Sequence, residues 1–433
     1  MSQASAHDSY DSACFAYRSY LGDPVAECDA LLLEAPDHID AHLLRACALT
    51  LSSERRFLGE ARRSVEAAEP LAESASDAQR ALTAAARALT DGRWDEAGRL
   101  LDAVLVADPT HIAALQTAHV LDFMTGDAVS LRNRPARLLR AWPADDPARS
   151  YVLGMYAFGL EECNEFDRAE AVGREAVEKD PQDAWATHAV AHVLEMQGRA
   201  AEGEAWLAET ATHWRSGGLA CHNWWHKALF HIERDDLAGA LAIVDGEILP
   251  LISDASLELL DVSAMLLRLK LLGIDVQARA GAIASLWADK LADEPGYYAF
   301  NDFHAGMAFV LVDDQTRLRS LRERAVLAAP TLGPSSALIT RQVGLPLLQA
   351  LESYARADYA AAADQLEGIR PICARFGGSN AQRDIISWLL IDAARQAGQK
   401  DRALQLLEER LQSKPAGQLG WRWREAIIET AGA

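Results

Sequence analysis

One measure recurs along this chain and limits what it can fold into. A small or apolar residue is followed by partners 4 and 7 positions on, and by Pro 12 positions on. It reads Ala97–Leu101–Val104–Pro109, Ala169–Gly173–Ala176–Pro181, Leu318–Arg322–Ala325–Pro330 and Ala403–Leu407–Arg410–Pro415. Residues at i, i+4 and i+7 share one face of an α-helix, and the Pro stops it. A chain punctuated in this way folds as stacked helix pairs, whose core grows along the array rather than inward.

Degenerate copies fill the gaps. Gly203 and Leu207 follow one 34-residue period after Ala169, and Ala240 and Val244 follow after 37 residues. Ala362 and Leu366 form another copy ahead of Pro371. Asp91-Gly92, Gly198 and Asp235-Asp236 supply turns between paired helices. No alternating strand pattern occurs. The measure matches the second helix of a tetratricopeptide repeat. The first helices match less closely, with Tyr156 and Leu160 at two of the usual apolar positions. The expected fold is an all-α, tetratricopeptide-repeat-like α-solenoid of antiparallel helical hairpins curled around a concave groove. It is expected to run as one continuous domain over 1–433, with residues 1–10 disordered. A non-repetitive helical bundle is the competitor.

Composition narrows the function classes. At 433 residues a chain of ordinary domains would hold two or three, but a repeat array escapes that count. The formal charge of −21 disfavours nucleic acid and anionic membrane surfaces. The six cysteines lie far apart with no C-x-x-C pair, as expected of reduced, buried thiols. The start, MSQASAHDSYDSA, has neither a basic nor an apolar region of a secretory signal. The greasiest stretch, Ala264–Ile274, carries Arg268 and Lys270 and is too short to span a bilayer. These features predict a cytoplasmic protein.

The repeat register sorts the histidines. On the first helices, which line the concave face of such repeats, the ligand-facing slots hold His188, His192 and Glu195, then His222, Trp225, His226 and Glu233. They hold His304 and Trp388 further on. Five of the 12 histidines thus fall on one inner face, and the four-residue spacing within each pair agrees. His38, His42, His111, His119, His213 and His231 read as structural. Trp224 takes the structural Trp position, whereas the Trp225 indole faces the groove, where it can stack on a ligand or cation.

Three chemistries suit such a cluster. His188/His192 and His222/His226 are i,i+4 pairs, the way helical scaffolds present imidazoles to zinc or iron. Yet HAVAH is not H-E-x-x-H, and Glu195 or Asp302 completes a site only if the groove curls tightly. No metal ligand or cofactor is therefore assigned. Acid–base catalysis would use His188, His192, His226 and His304 with Asp384, and with carboxylates such as Glu195, Glu233 and Asp302 as partners. Recognition of a polar ligand would use His222, Asn223, Trp225, Glu195, Asp302, Arg383 and Trp388. No nucleophile elbow, P-loop, Rossmann or kinase pattern occurs.

The loop Phe376–Asp384, FGGSNAQRD, stands apart from the repeats. A Gly turn with Ser379 or Asn380 as helix cap explains its start. Arg383 and Asp384 are read as groove residues, Arg383 anchoring a carboxylate or phosphate, with an Arg–Asp brace between helices as the competing role. Arg317–Arg324 and Glu408–Arg410 are read as solvated helix faces.

Four blocks carry a family resemblance. HAVAHVLEMQGR (His188–Arg199), HNWWHKALFHIE (His222–Glu233), NDFHAGMA (Asn301–Ala308) and GGSNAQRD (Gly377–Asp384) resemble segments of tetratricopeptide repeat protein 38 and its bacterial relatives, in the same order. The resemblance covers essentially the whole chain. It implies a soluble helical solenoid and hands over no activity. The leading functional reading is a groove that binds a small polar organic ligand and acts on it by histidine acid–base chemistry. Its alternatives are a scaffold for an extended peptide and a metal-dependent enzyme with a poly-His site. Partners are then a small molecule or peptide, without nucleic acid or membrane. Exposed ends of a solenoid also favour a homo-oligomer.

Overall fold

The computed structural model describes residues 3–429, with side chains from residue 9 onward. Among them every regular element is a helix. The recurring measure sets the boundaries: helices Trp94–Ala107, Phe166–Lys179, Gln315–Ala328 and Lys400–Ser413 each stop just short of their Pro. Proline bars the residue before it from the helical region and cannot donate to the helix ladder. The small positions are where neighbours meet. Ala97, Leu101, Val104, Ala169, Ala176, Ala325, Ala403 and Leu407 are all 0% exposed. Gly159 marks a close approach of backbones, since a Cβ there would fall 2.4 Å from the backbone of Leu131 and Arg132.

Internal contacts gather the chain into two compact units. The first comprises the residues up to Val190 with His213–Leu219 and Pro330–Ala337. The second comprises Ala191–Thr212, Ala220–Ala329 and the chain from Leu338 onward. The first unit is a run of hairpins, such as Ile39–Leu51 with Leu58–Ala72, Asp77–Thr90 with Trp94–Ala107, and Arg149–Glu162 with Phe166–Lys179. Its opening helix is Gln3–Ser19, and residues 1 and 2 lie outside the described residues. A helical stripe holds it, with Tyr10, Ala13, Cys14 and Tyr17 packing against Cys28, Leu44 and Ala113.

The second unit pairs Ser256–Leu271 with Gln277–Lys290, Ala299–Leu311 with Gln315–Ala328, Leu345–Ala355 with Tyr359–Ile369, and Asn380–Gln396 with Lys400–Ser413. It also holds Ala220–Glu233 ahead of these pairs and closes on Gln418–Glu429. Within it the chain returns on itself. Lys414 Nζ reaches Glu195 Oε1 at 2.7 Å, and the Leu419 amide donates to Glu233 Oε1 at 2.9 Å. Arg268 Nη2 donates to the Ala381 carbonyl at 3.0 Å. First helices that would face solvent in an open array are therefore enclosed, and Ala299–Leu311 is buried on every side. A helix buried all round cannot afford stray polar groups, so those it keeps call for an explanation.

Candidate functional site

The site of the second unit is built on Ala220–Glu233, whose His222, Trp225 and His226 share one face. His222 Nδ1 lies 2.9 and 2.8 Å from the two oxygens of Asp261, a residue of the helix Ser256–Leu271. Its ring stacks on Trp225, centroids 5.2 Å apart and planes 12° apart. His226 is wholly buried, with Nδ1 3.3 Å from Glu195 Oε2. Its ring stands edge-on to His222 at 4.8 Å and to His192 at 4.4 Å. His192 and His222 are 6.4 Å apart. Burial pulls the His226 pKa down to about 4, against the pull of Glu195, so its imidazole is neutral near pH 7.

Beneath the histidines runs a chain of buried charges. Burial acts to raise the pKa of Glu195, yet Lys414 and His226 bring it down to about 2. Lys414 also stands 3.9 Å from Asp384 Oδ2. Asp384 accepts from Arg410 at 3.2 and 2.8 Å and from Trp388 Nε1 at 3.0 Å. Burial works against its ionised form, but Arg410, Lys414 and Arg268 hold its pKa well below the usual carboxylate range. The Arg268 guanidinium sits over both Trp225, at 5.2 Å, and Trp388, at 5.7 Å, while burial lowers its pKa to about 10. Glu195, Arg268, Asp384, Trp388, Arg410 and Lys414 all line one cavity of about 20 Å³, room for about one water molecule.

The structure thus brings His192, Glu195, His222, Trp225, His226, Asp384 and Trp388 into one network. The other expected site residues have contacts of their own. His188, one turn before His192 on the same helix, has its ring against Phe158 and Trp185 in the first unit, at 5.5 and 4.9 Å. Asp302 accepts the Gly296 amide at 3.0 Å, a loop-fixing contact, and burial raises its pKa to about 7. Arg383 donates to its own loop, to the Gly377 and Gly378 carbonyls and to Asn380 Oδ1 at 2.8 Å. His304 donates Nδ1–H to the Phe300 carbonyl at 2.7 Å, and burial lowers its pKa to about 4. Asp261 and Arg268 both act on it electrostatically.

Ser379 caps the helix Asn380–Gln396 reciprocally with Gln382, which accounts for that part of the loop. Reading Glu408–Arg410 as a solvated face needs correction: Arg410 is only 7% exposed and is spent on Asp384. Sequence reasoning missed Asp261 and Lys414 and saw Arg268 only as a charge in a greasy stretch. For Asp261 and Arg268 the available signal was their place inside LELLDVSAMLLRLKL, where an apolar helix tolerates ions only if they are paired.

No protein-family model matches the chain. Among solved structures it resembles Cut9 of the APC/C hetero-tetramer Cut9–Hcn1, at 13% identity and TM-score 0.48, over 97% of this chain and 69% of that one. It also resembles the human IFIT1 dimer with m7Gppp-AAAA, at 13% identity and TM-score 0.46, over 100% and 96% of the two chains. The human IFIT1 dimer with PPP-AAAA gives 13%, 0.44, and 91% of each chain.

Proposed function

We propose that the polar centre of the second unit binds a small polar ligand and moves a proton on it, within a fold shared with tetratricopeptide repeat protein 38. The observation that carries this reading is the set of buried polar atoms that find no hydrogen-bond partner among the described residues. Both amide atoms of Asn223, Trp225 Nε1 and His304 Nε2 are in this position, in residues no more than 1% exposed. Each such group costs about 1–3 kcal/mol if nothing meets it. A chain that needed only packing would place apolar residues there.

Chemistry assigns the roles. His222, 15% exposed at its side chain, is the member of the histidine group nearest to solvent access, and Asp261 fixes its tautomer. Asn223 and Trp225 supply donors for a polar ligand, while His304, with its proton held on Nδ1, offers a lone pair at Nε2 as a base. The small cavity favours a ligand of few atoms or one admitted by side-chain movement.

The test is a thermal-shift panel on the full chain with free amino acids, short carboxylic acids and short amines. At least one compound is expected to raise Tm in the wild type and to lose that effect in His222→Gln and Asn223→Leu. A panel without shifts, or shifts that survive both substitutions, overturns the reading.

A further inference from the structure

We infer that the same centre is a transition-metal site of the zinc class, with His192, His222 and His226 as protein ligands; the inference deepens the ligand-binding reading above and rests on its choice of site. One ring nitrogen of each of these histidines lies within 4.8 Å of those of the others. A tetrahedral ion with metal–nitrogen bonds of about 2.0–2.1 Å holds its ligands a little over 3 Å apart, so small rotations of the three rings close the set.

The arrangement behind the rings is the stronger argument. A metal-ligating imidazole usually donates its other ring N–H to a carboxylate, which fixes the tautomer and raises the basicity of the ligating nitrogen. Two of the three rings have this partner, each from a different helix. His222 Nδ1 meets Asp261 at 2.8 Å, and His226 Nδ1 faces Glu195 at 3.3 Å. A proton on Nδ1 of each ring would leave Nε2 for the ion. A structural histidine pair needs no such matched carboxylates, and three rings within 6.4 Å of one another are a poor way to fill an apolar core.

The donor set narrows the metal. Three neutral imidazoles without a thiolate suit zinc, iron, cobalt or nickel rather than magnesium or calcium, which favour oxygen. Asp261 and Glu195 are then positioning residues.

The experiment uses the full chain stripped with a chelator and titrated with Co(II) alone, followed by visible absorption and by equilibrium dialysis. One equivalent is expected to bind with ligand-field bands that Zn(II) displaces. His192→Ala and His226→Ala should abolish the bands. Asp261→Asn, which keeps every ligand, should retain them with affinity about 10- to 100-fold weaker. Circular dichroism and Tm of each apo variant check folding, and wild-type binding decides the matter if a variant fails to fold. No bands with folded wild type, or bands unchanged in both histidine variants, overturns the metal site. An organic-ligand shift lost in Asn223→Leu alongside absent Co(II) binding would sink the metal inference alone. Co(II) binding with an empty ligand panel would do the reverse.

Discussion

Lys414→Met tests the charge network on which the centre rests. Lys414 is 5% exposed, its ammonium 2.7 Å from Glu195 and 3.9 Å from Asp384. Met matches its length and packs well, so the substitution removes charge with little change in volume. At an effective dielectric of about 20, a pair at 2.7 Å is worth on the order of 6 kcal/mol before desolvation. Taking both ions out of water returns much of that gain. Removing one partner leaves the other buried and uncompensated, which costs about 3–5 kcal/mol. In a unit of roughly 230 residues, with about 2–4 °C lost per kcal/mol, Tm should fall by about 6–20 °C.

The partner variant gives the reasoning its edge. Glu195→Gln strands Lys414 in turn, although Asp384 remains within reach. In Lys414→Met with Glu195→Gln neither residue carries a charge, and Arg410 still compensates Asp384. The double variant should therefore be more stable than the sum of the single losses predicts, with a coupling of about 2 kcal/mol or more. Urea unfolding followed by circular dichroism and tryptophan fluorescence measures all four proteins. A Lys414→Met loss below about 1 kcal/mol, or single losses that simply add, would refute the claim that the pair is buried and mutually dependent.

Two further outcomes follow from the packing and the buried acids. Gly159→Ala would put a methyl group 2.4 Å from the Leu131 and Arg132 backbone, and should cost about 3 kcal/mol in chemical denaturation. Gly281→Ala, in mid-helix with nothing within 4 Å of its added Cβ, should instead gain about 0.5–1 kcal/mol; equal effects at the two sites would contradict the close approach. Asp183 accepts the Ala186 amide at 2.8 Å while burial raises its pKa to about 7. The folded state thus holds this proton more tightly than the unfolded chain, whose Asp titrates near about 3.9. Its contribution to stability is complete below about pH 4 and is lost as pH rises through about 7, a change on the order of 4 kcal/mol. Asp183→Asn, which keeps the helix cap, should flatten the Tm profile between about pH 4 and 7; a profile as steep as the wild type's would count against the raised pKa.

What the sequence made legible was local. Each repeat helix could be bounded from its Pro and its small-residue face, because both act within one or two turns. His192, His222, Trp225 and His226 could be placed on one inner side because the helical period orders them before any tertiary contact forms. Their partners were not legible. Asp261 lies 39 residues from His222, and Lys414 lies 219 from Glu195. Only the return of the chain within the second unit decides those pairs, and a single sequence does not encode that closure in any local period. Arg410 is the instructive case. It occupies a small-face position of the repeat measure, Ala403–Leu407–Arg410–Pro415, and that placement pointed to burial. Its neighbours Glu408 and Glu409 suggested solvent, but helical spacing puts them on another face.

The buried ions themselves bear on function. A network of Glu195, Lys414, Asp384, Arg410 and Arg268 is a weak way to hold helices together, since apolar residues of like volume often serve as well or better. Its expense makes more sense as positioning. Lys414 keeps Glu195 ionised in a place where burial alone would protonate it. An ionised Glu195 is what orients the His226 ring through Nδ1. Arg268, held by the Ala264 and Ala381 carbonyls, presses on the Trp225 indole against which His222 stacks. Lys414 and Arg268 therefore each act through one neighbour on a histidine of the centre. If Lys414→Met with Glu195→Gln restores stability but not Co(II) affinity, the network serves the site rather than the fold.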